Sequence, residues 1–331
     1  MADTLRIRFL DVGQGDAIVG ILPGGRRAFI VDVCKSDPVL DFLDSEGITE
    51  VILFLTHSDR DHTQGVQNLL ADLEEKRLRV LAIFFSSDRI NANRGNDYVR
   101  LHQLIGRSSR RLSRQAPRFL GADFNTNLNH LPRFEELFHP VRIAVIHPEW
   151  ADQRSLIGNT NESAGVLLVE YTIREGVVRR VLLTADVQLT GISLLIARED
   201  QLPIRADVFK YPHHGAWPDS WPNIDSDVMR RTMADFLNRV MPSIVVFSVG
   251  GDNTYGHISA EALKMLATYG RESNRLRMVR WTEVTQTCLQ PAARAALAAF
   301  AVPQSAGDIE VQVGDFPSDD YVKVSCASAM A

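Results

Sequence analysis

An uninterrupted apolar run, Val51-Ile52-Leu53-Phe54-Leu55, leads directly into Thr56-His57-Ser58-Asp59-Arg60-Asp61-His62-Thr63-Gln64-Gly65. Five bulky apolar residues in a row predict a strand covered on both faces, an environment that layered α/β proteins provide. The segment after it crowds two imidazoles and two carboxylates into the six positions 57–62. They sit at the strand's C-terminal end, where open α/β sheets bind ligands. Four such groups in one loop are costly unless something cationic compensates them, and a divalent metal is the simplest answer. The plain alternative is a solvated Asp-Arg-Asp turn with two chance histidines, so the rest of the chain has to supply further ligands.

The flanking pattern supports a layered α/β fold. Leu5 to Leu10, Ala17 to Leu22 and Arg27 to Val33 read as strands, separated by the Gly-rich turn Asp11-Val12-Gly13-Gln14-Gly15-Asp16 and by Pro23-Gly24-Gly25. Asp37 to Gly47 and Val66 to Lys76 have helical spacing, and Val80 to Phe85 is another strand. Strands are expected again at 141–147, 165–173, 177–184, 206–211, 244–249 and 277–281, with helices near 188–198, from 226, and at 260–269. Ile309-Glu310-Val311-Gln312-Val313 alternates like an edge strand. Such an order of strands and helices implies sheet faces covered by helices.

With 331 residues the chain suffices for one large α/β domain or two small ones. A net charge of −5 gives no global argument for nucleic acid, so that case rests on local charge. Positions 86–118 hold eight arginines, Arg107, Arg110 and Arg111 among them, against Asp88 and Asp97. A solvated helix with a basic loop is one reading; a rim for an anionic substrate is the other, since clustered arginines suit phosphate. Three widely separated cysteines argue against a disulfide framework and suit a reducing cytosol. No signal-peptide core and no 18-residue apolar stretch occurs, so a cytoplasmic protein without a membrane partner is expected.

Polar clusters also follow the strands that end near 186, 213–214 and 250–257. If these loops converge, His57, Asp59, Asp61, His62, Asp186 and His213 or His214 supply nitrogen and oxygen ligands suited to Zn²⁺ or Mn²⁺. One or two such ions lower the pKa of water and clamp a scissile oxygen. Lys210 is a candidate for holding a phosphate oxygen, with a salt-bridged lysine as the competing reading. His257 lies in a loop near the expected site, His147 is ambiguous, and His102, His130 and His139 read as structural or solvated.

Four stretches together carry a family likeness: Phe9 to Asp16, Thr56 to Gly65, Leu182-Leu183-Thr184-Ala185-Asp186, and Lys210 to Gly215 with Asn253 to His257. In this order they resemble the metallo-β-lactamase fold hydrolases, and within them the hydrolase domain of ComEC-type DNA-uptake proteins. The resemblance implies an αββα sandwich with a site at one end of two sheets. It also implies a domain over residues 1–282, with an Arg-rich insertion at about 86–135, and an extension at 283–331 that completes or decorates it. By resemblance the signature ligands fall on His57, Asp61, His62 and Asp186, and Asp59 replaces the middle histidine, as in that subgroup. Asn161 and Ser163 stand where the family's third-motif histidine is usual, with His147 as the nearest upstream alternative. The usual final histidine falls near Ser248 or Gly250, so His213, His214 or His257 compensates.

The expected function is therefore a metal-dependent hydrolase of phosphodiesters, most simply a nuclease on DNA. Asp61, Lys210, His214 and His257 are its expected catalytic residues. Asn161, Ser163, Ser248, Asn253, Arg107, Arg110 and Arg111 are expected to meet the substrate. A small-molecule hydrolase of the same fold, acting on a lactone, thioester or cyclic nucleotide, is the alternative, and a catalytically degenerate binding module is a third. Asp59 makes the ligand set more oxygen-rich, which brings Mn²⁺ in beside Zn²⁺.

Overall fold

The computed structural model describes residues 4–86, 99–101, 103–107, 118–120, 138–149, 156, 160–200, 203–217, 226–250, 255–282, 292, 307–316 and 321–326. Two sheets face each other. The first runs in the order β14-β13-β1-β2-β3-β4-β5-β6. Its strands are β1 (Leu5–Phe9), β2 (Ile18–Ile21), β3 (Arg27–Val31), β4 (Glu50–Leu55), β5 (Arg79–Ser86), β6 (Arg118–Leu120), β13 (Ile309–Val313) and β14 (Val322–Cys326). The second runs in the order β12-β11-β10-β9-β8-β7. It contains β7 (Val141–His147), β8 (Val166–Arg174), β9 (Val177–Leu183), β10 (Val208–Lys210), β11 (Ile244–Phe247) and β12 (Met278–Trp281).

The central run of β4 explains the layering. Ile52 and Phe54 point between the sheets, where they meet Phe84, Leu167, Val208 and Val246. Val51, Leu53 and Leu55 point the other way, towards Val39, Leu43, Leu69 and Leu73. Those leucines and valines belong to α1 (Ser36–Ser45) and α3 (Val66–Glu75), which cover the outer face of the first sheet. A strand buried on both faces needs no polar alternation, and β4 has none. The second sheet is covered by α4 (Leu189–Ala197), α5 (Ser226–Val240) and α6 (Ala260–Ser273), with Phe236, Leu237, Leu263 and Leu266 packed over Phe209 and Phe247. The result is an αββα sandwich, two facing sheets with helices on both outer faces, as the sequence resemblance implied.

Two local features differ from the sequence reading. Arg60–Thr63 forms one helical turn, α2, within the stretch taken as a loop. A four-residue turn is too short to leave a hydrophobic period in the sequence. The strand Ile309–Val313 lies inside the sheet, antiparallel to β1 on one side and to β14 on the other. Its alternation marks one buried face, which an interior strand shares with an edge strand. Helical residues at 99–101 and 103–107 fit the spacing seen there.

In the first sheet β3, β4 and β5 run parallel, and in the second β9, β10, β11 and β12 do so. Parallel strands end on the same side. The loops after β3, β4, β9, β10 and β11 thus gather at one end of the sandwich, which is the geometry expected of a ligand site.

Candidate metal centre

Each functional side chain is delivered by the end of a strand. β3 delivers Asp32, in the left-handed region at φ 58°, and β4 delivers Thr56 and His57. The turn α2 then carries Asp61 and His62, and His62 is locked by the Val33 amide donating to its carbonyl at 2.7 Å. The Gly-rich turn after β1 brings Asp16 against α2, its amide donating to the Asp61 carbonyl at 3.1 Å. Gly15 makes this approach possible: its φ is +137°, and a Cβ there would sit 2.3 Å from the Asp61 carbonyl. β9 ends in Ala185 (φ 46°) and Asp186, and β10 ends in Lys210. Beyond Lys210 the turn Pro212–Gly215 holds His213 and His214 at φ 48° and 52°.

The hydrogen bonds of three imidazoles leave the same atom bare. His62 Nδ1 donates to Asp32 Oδ2 at 2.7 Å, and His214 Nδ1 donates to the Ser248 carbonyl at 2.8 Å. Thr56 Oγ1 gives its hydrogen to Asp32 Oδ2 at 2.6 Å, so His57 Nδ1, 3.0 Å away, is the donor to Thr56 Oγ1. With Nδ1 engaged outward, Nε2 of His57, His62 and His214 faces inward, and none of the three has a hydrogen-bond partner. Asp186 Oδ1 and Asp16 Oδ1 are buried and unpartnered in the same way. His62 Nε2 and His214 Nε2 lie 3.2 and 3.5 Å from Asp186 Oδ1, and His214 Nε2 lies 3.6 Å from Asp61 Oδ2. These are the separations of ligands sharing an ion whose bonds are about 2.0–2.2 Å long, roughly 3–4.4 Å apart. Donor atoms of Asp61, His62, Asp186 and His214 all fall within 4.8 Å of one another, as do those of Asp32, His57 and His62. Polar atoms buried without partners are expensive, and divalent cations held by these groups would relieve Asp186 Oδ1 and the three Nε2 atoms.

The electrostatics point the same way. Burial opposes charge on His62, yet Asp186 and Asp32 hold its pKa well above the usual imidazole range. His214 is also raised, against burial, by Asp186 and Asp61. Burial opposes ionisation of Asp186, but His214, His62 and His213 hold it well below the usual carboxylate range. The pocket thus calls for positive charge, which a bound ion would supply in exchange for protons. His57, by contrast, is pushed down by burial and by its neighbour His62.

Lys210 is fully buried. Its Nζ pairs with Asp16, donates to the Ala185 carbonyl at 3.0 Å and stands 3.8 Å from Asp186 Oδ1. All its contacts run inward. Asp59 starts α2 beside the cluster and accepts from Thr160 Oγ1 at 3.2 Å. The turn that holds Asn161 and Ser163 packs on the end of β4, where the Gly165 amide donates to the Thr56 carbonyl at 2.8 Å. Ser248 is buried and meets His214 through its carbonyl. His213 sits at the rim, its Nε2 3.8 Å from Asp186 Oδ2. Gln188 Nε2 donates to its Nδ1 at 3.2 Å, which puts its own proton on Nε2. The His257 ring lies 5.6 Å from that of His213 and is stacked by Tyr255, which is 74% exposed. Burial, with His214 and His213, pushes the His257 pKa down to about 4.

His147 is buried away from this group, bonded to the Glu162 carbonyl at 2.6 Å. Arg107 is exposed on the helical segment, while Arg110, Arg111 and Asn253 lie outside the described residues. Two buried acids, Asp16 and Asp32, belong to the centre and carried no role in the sequence reading. Both directly follow a strand or its turn, the signal that singled out Asp186.

No family model matches the chain. ComE operon protein 3 of Bacillus subtilis (strain 168) is 24% identical over 282 residues, covering 78% of this chain and 30% of that protein. The chain thus spans under a third of the length of that curated relative. Hydroxyacylglutathione hydrolase 1 of Vibrio vulnificus (strain YJ016) is 37% identical over 54 residues, 16% of this chain and 22% of that one. Among solved structures, the metallo-β-lactamase fold protein YhfI from Bacillus subtilis aligns with a TM-score of 0.44 at 12% identity, covering 84% of this chain and 96% of that one. Human tRNase Z, short form, aligns with a TM-score of 0.36 at 13% identity, covering 72% and 91%. Among the described residues, no helix is long and apolar enough to cross a membrane.

Proposed function

We propose that the chain is a divalent-metal-dependent phosphodiesterase acting on nucleic acid, most simply DNA. One observation carries this reading: three inward-facing Nε2 atoms and Asp186 Oδ1, all buried, face one another without hydrogen-bond partners. His57, His62, His214, Asp61 and Asp186 would hold Zn²⁺ or Mn²⁺, with Asp59 as a further oxygen ligand. When bound, such an ion supplies the Lewis acidity that activates water and neutralises charge on the substrate oxygens. Asp32 orients His62, Ser248 orients His214 through its carbonyl, and Lys210 positions Asp16. In this reading His214 is a ligand and His213 a rim donor, because His213 carries its proton on Nε2 and the others present a lone pair there. His213 and His257 offer N–H groups to a phosphate oxygen at the open side of the pocket.

The choice of a polynucleotide is supported by what surrounds the opening. Tyr255 presents an exposed ring beside His257, a platform on which a base stacks. The arginines of 86–118, Arg107 included, lie in the segment we assign to the phosphate backbone. The separated cysteines fit a cytoplasmic enzyme. A second reading, hydrolysis of a small thioester, is favoured by the 54-residue match to hydroxyacylglutathione hydrolase 1.

Metal content of the purified chain, measured beside cleavage of DNA and bis-p-nitrophenyl phosphate, tests the proposal. We expect about one or two ions per chain, and both ion and cleavage reduced in Asp186→Ala. A chain that resists metal loading, or that cleaves only a thioester, overturns it.

A further inference from the structure

At the opposite end of the sandwich lies a groove of about 580 Å³. It opens at the N-terminal ends of β9, β10 and β11, whose C-terminal ends lead into the metal centre, and of β12 beside them. Ile244 and Ser248 are four strand steps apart, so the two sites are separated by about 13 Å or more.

The groove combines three kinds of surface. Its floor is apolar, made of Ile244, Met278, Val322 and Val324, the margin of the core between the sheets. Its wall is cationic, with Arg179, Arg180, Arg205, Arg275 and Arg277 against Asp207 as the acid among the lining residues. Arg180 is taken up by Glu170 at 2.6 Å, and Arg179 lies 3.8 Å from Asp207. Arg205 and Arg275 are exposed and have no carboxylate partner among the described residues. Arg275 is turned into the groove by the end of α6, where Asn274 takes the left-handed conformation at φ 51°. The third element is Tyr321, whose ring is flanked by the guanidinium groups of Arg179 at 4.8 Å and Arg174 at 5.3 Å.

We propose that this groove binds a phosphorylated small molecule of nucleotide size, a nucleoside di- or triphosphate. The volume lies within the range of ligand pockets, roughly 300–1,000 Å³. Arginine forks match phosphate oxygens in pairs. The apolar floor of Ile244, Met278, Val322 and Val324 covers a base, which a purely ionic site for inorganic phosphate does not need. The site is independent of the metal centre and of the activity assigned to it.

Isothermal titration of the full chain with ATP, adenosine, pyrophosphate and a single-stranded 20-mer tests the assignment. ATP is expected to bind with a Kd below 1 mM and at least tenfold more tightly than adenosine or pyrophosphate. Arg205→Glu and Arg275→Glu, both exposed positions, are each expected to weaken ATP at least tenfold with unchanged melting temperature. Asp61→Asn, in the metal centre, is expected to leave ATP binding as it is. Absence of ATP binding overturns the proposal, as does binding lost in Asp61→Asn and kept in both arginine variants. A 20-mer that binds more tightly than ATP through Arg205 and Arg275 also overturns it, in favour of a polynucleotide track.

Discussion

Asp32 Oδ2 accepts the Nδ1 proton of His62 at 2.7 Å, deep in the protein and beneath the donor cluster. The same carboxylate takes the Thr56 amide at 2.7 Å and the Thr56 hydroxyl at 2.6 Å. Its three donors fix the imidazole plane and turn Nε2 towards the donor cluster. An amide at this position turns an NH₂ group against one of those donors. We therefore expect Asp32→Asn to keep the left-handed backbone, which asparagine tolerates, and to lower metal affinity about 10–100-fold. Competition with a chromophoric chelator reads this directly; unchanged affinity would remove Asp32 from the centre.

The Asp16–Lys210 pair is buried completely on both sides. Removing one partner strands a charge, at a cost of about 3–5 kcal/mol, whereas replacing both with neutral groups of similar size costs much less. In urea denaturation, Lys210→Met and Asp16→Asn should each destabilise strongly and the double variant by less than their sum. Additive losses would mean that the two residues do not act as a pair.

Gly250 follows β11 and lies against the turn that carries Asp16. A Cβ there would come within 2.3 Å of the Gln14 amide nitrogen. Backbone cannot swing aside like a flexible side chain, so Gly250→Ala should displace the turn. A loss of about 1–3 kcal/mol is expected, together with a slower rate of the proposed phosphodiester cleavage. Thermal melts and initial rates measure the two effects. A variant with full stability and full rate would show that the turn yields freely.

Glu310 on β13 is held by Arg6 at 2.8 Å, Gln312 at 2.7 Å and Arg8 at 2.7 Å. Burial pushes its carboxyl up, but these donors win and hold the pKa down at about 2. An unfolded glutamate titrates near 4.3. The stabilisation is present in full above that value and is lost as pH falls through about 2, a change on the order of 2–3 kcal/mol. Glu310→Gln should flatten this part of the stability curve measured between pH 5 and 2. A variant with the wild-type slope would contradict the assignment.

Tyr255 offers its ring at the pocket rim, so Tyr255→Ala should raise KM for an oligonucleotide with little change in kcat. Stacking of one base is worth about 1–3 kcal/mol, or roughly 5–150-fold in binding. Bis-p-nitrophenyl phosphate, which spans a single phosphodiester, should be much less affected. Equal effects on both substrates would point to a role in the chemistry.

The parts of the centre that sequence made legible are those where chemistry is concentrated in a short segment. His57, Asp61 and His62 crowd together after an apolar run that can only be buried, and Asp186 terminates a strand. Asp16 and Asp32 follow strands as Asp186 does, but their part in the centre rests on partners from other elements, Lys210 for Asp16 and His62 for Asp32. His213 and His214 were inseparable because both adopt a left-handed backbone, where neither strand nor helix periodicity assigns a direction. Their difference rests on hydrogen-bond partners, Ser248 and Gln188, brought from other elements. The inner place of β13 was hidden for a related reason: alternation reports faces, while hydrogen-bonded edges depend on partners 304 positions away, as Arg6 and Glu310 are.

That separation has a consequence during synthesis. The turn bearing Asp16 rests on β1, and the Asp11 amide is tied to Asp308 Oδ1 at 2.8 Å. A ribosome adding about 5–20 residues per second takes roughly 15–60 s to bring β13 out after β1. Through that interval β1 offers an open row of amides and carbonyls to any neighbouring nascent chain, and the Asp16 turn lacks its second anchor. The turn that carries Asp16 thus gains its last anchor only in the closing moments of translation.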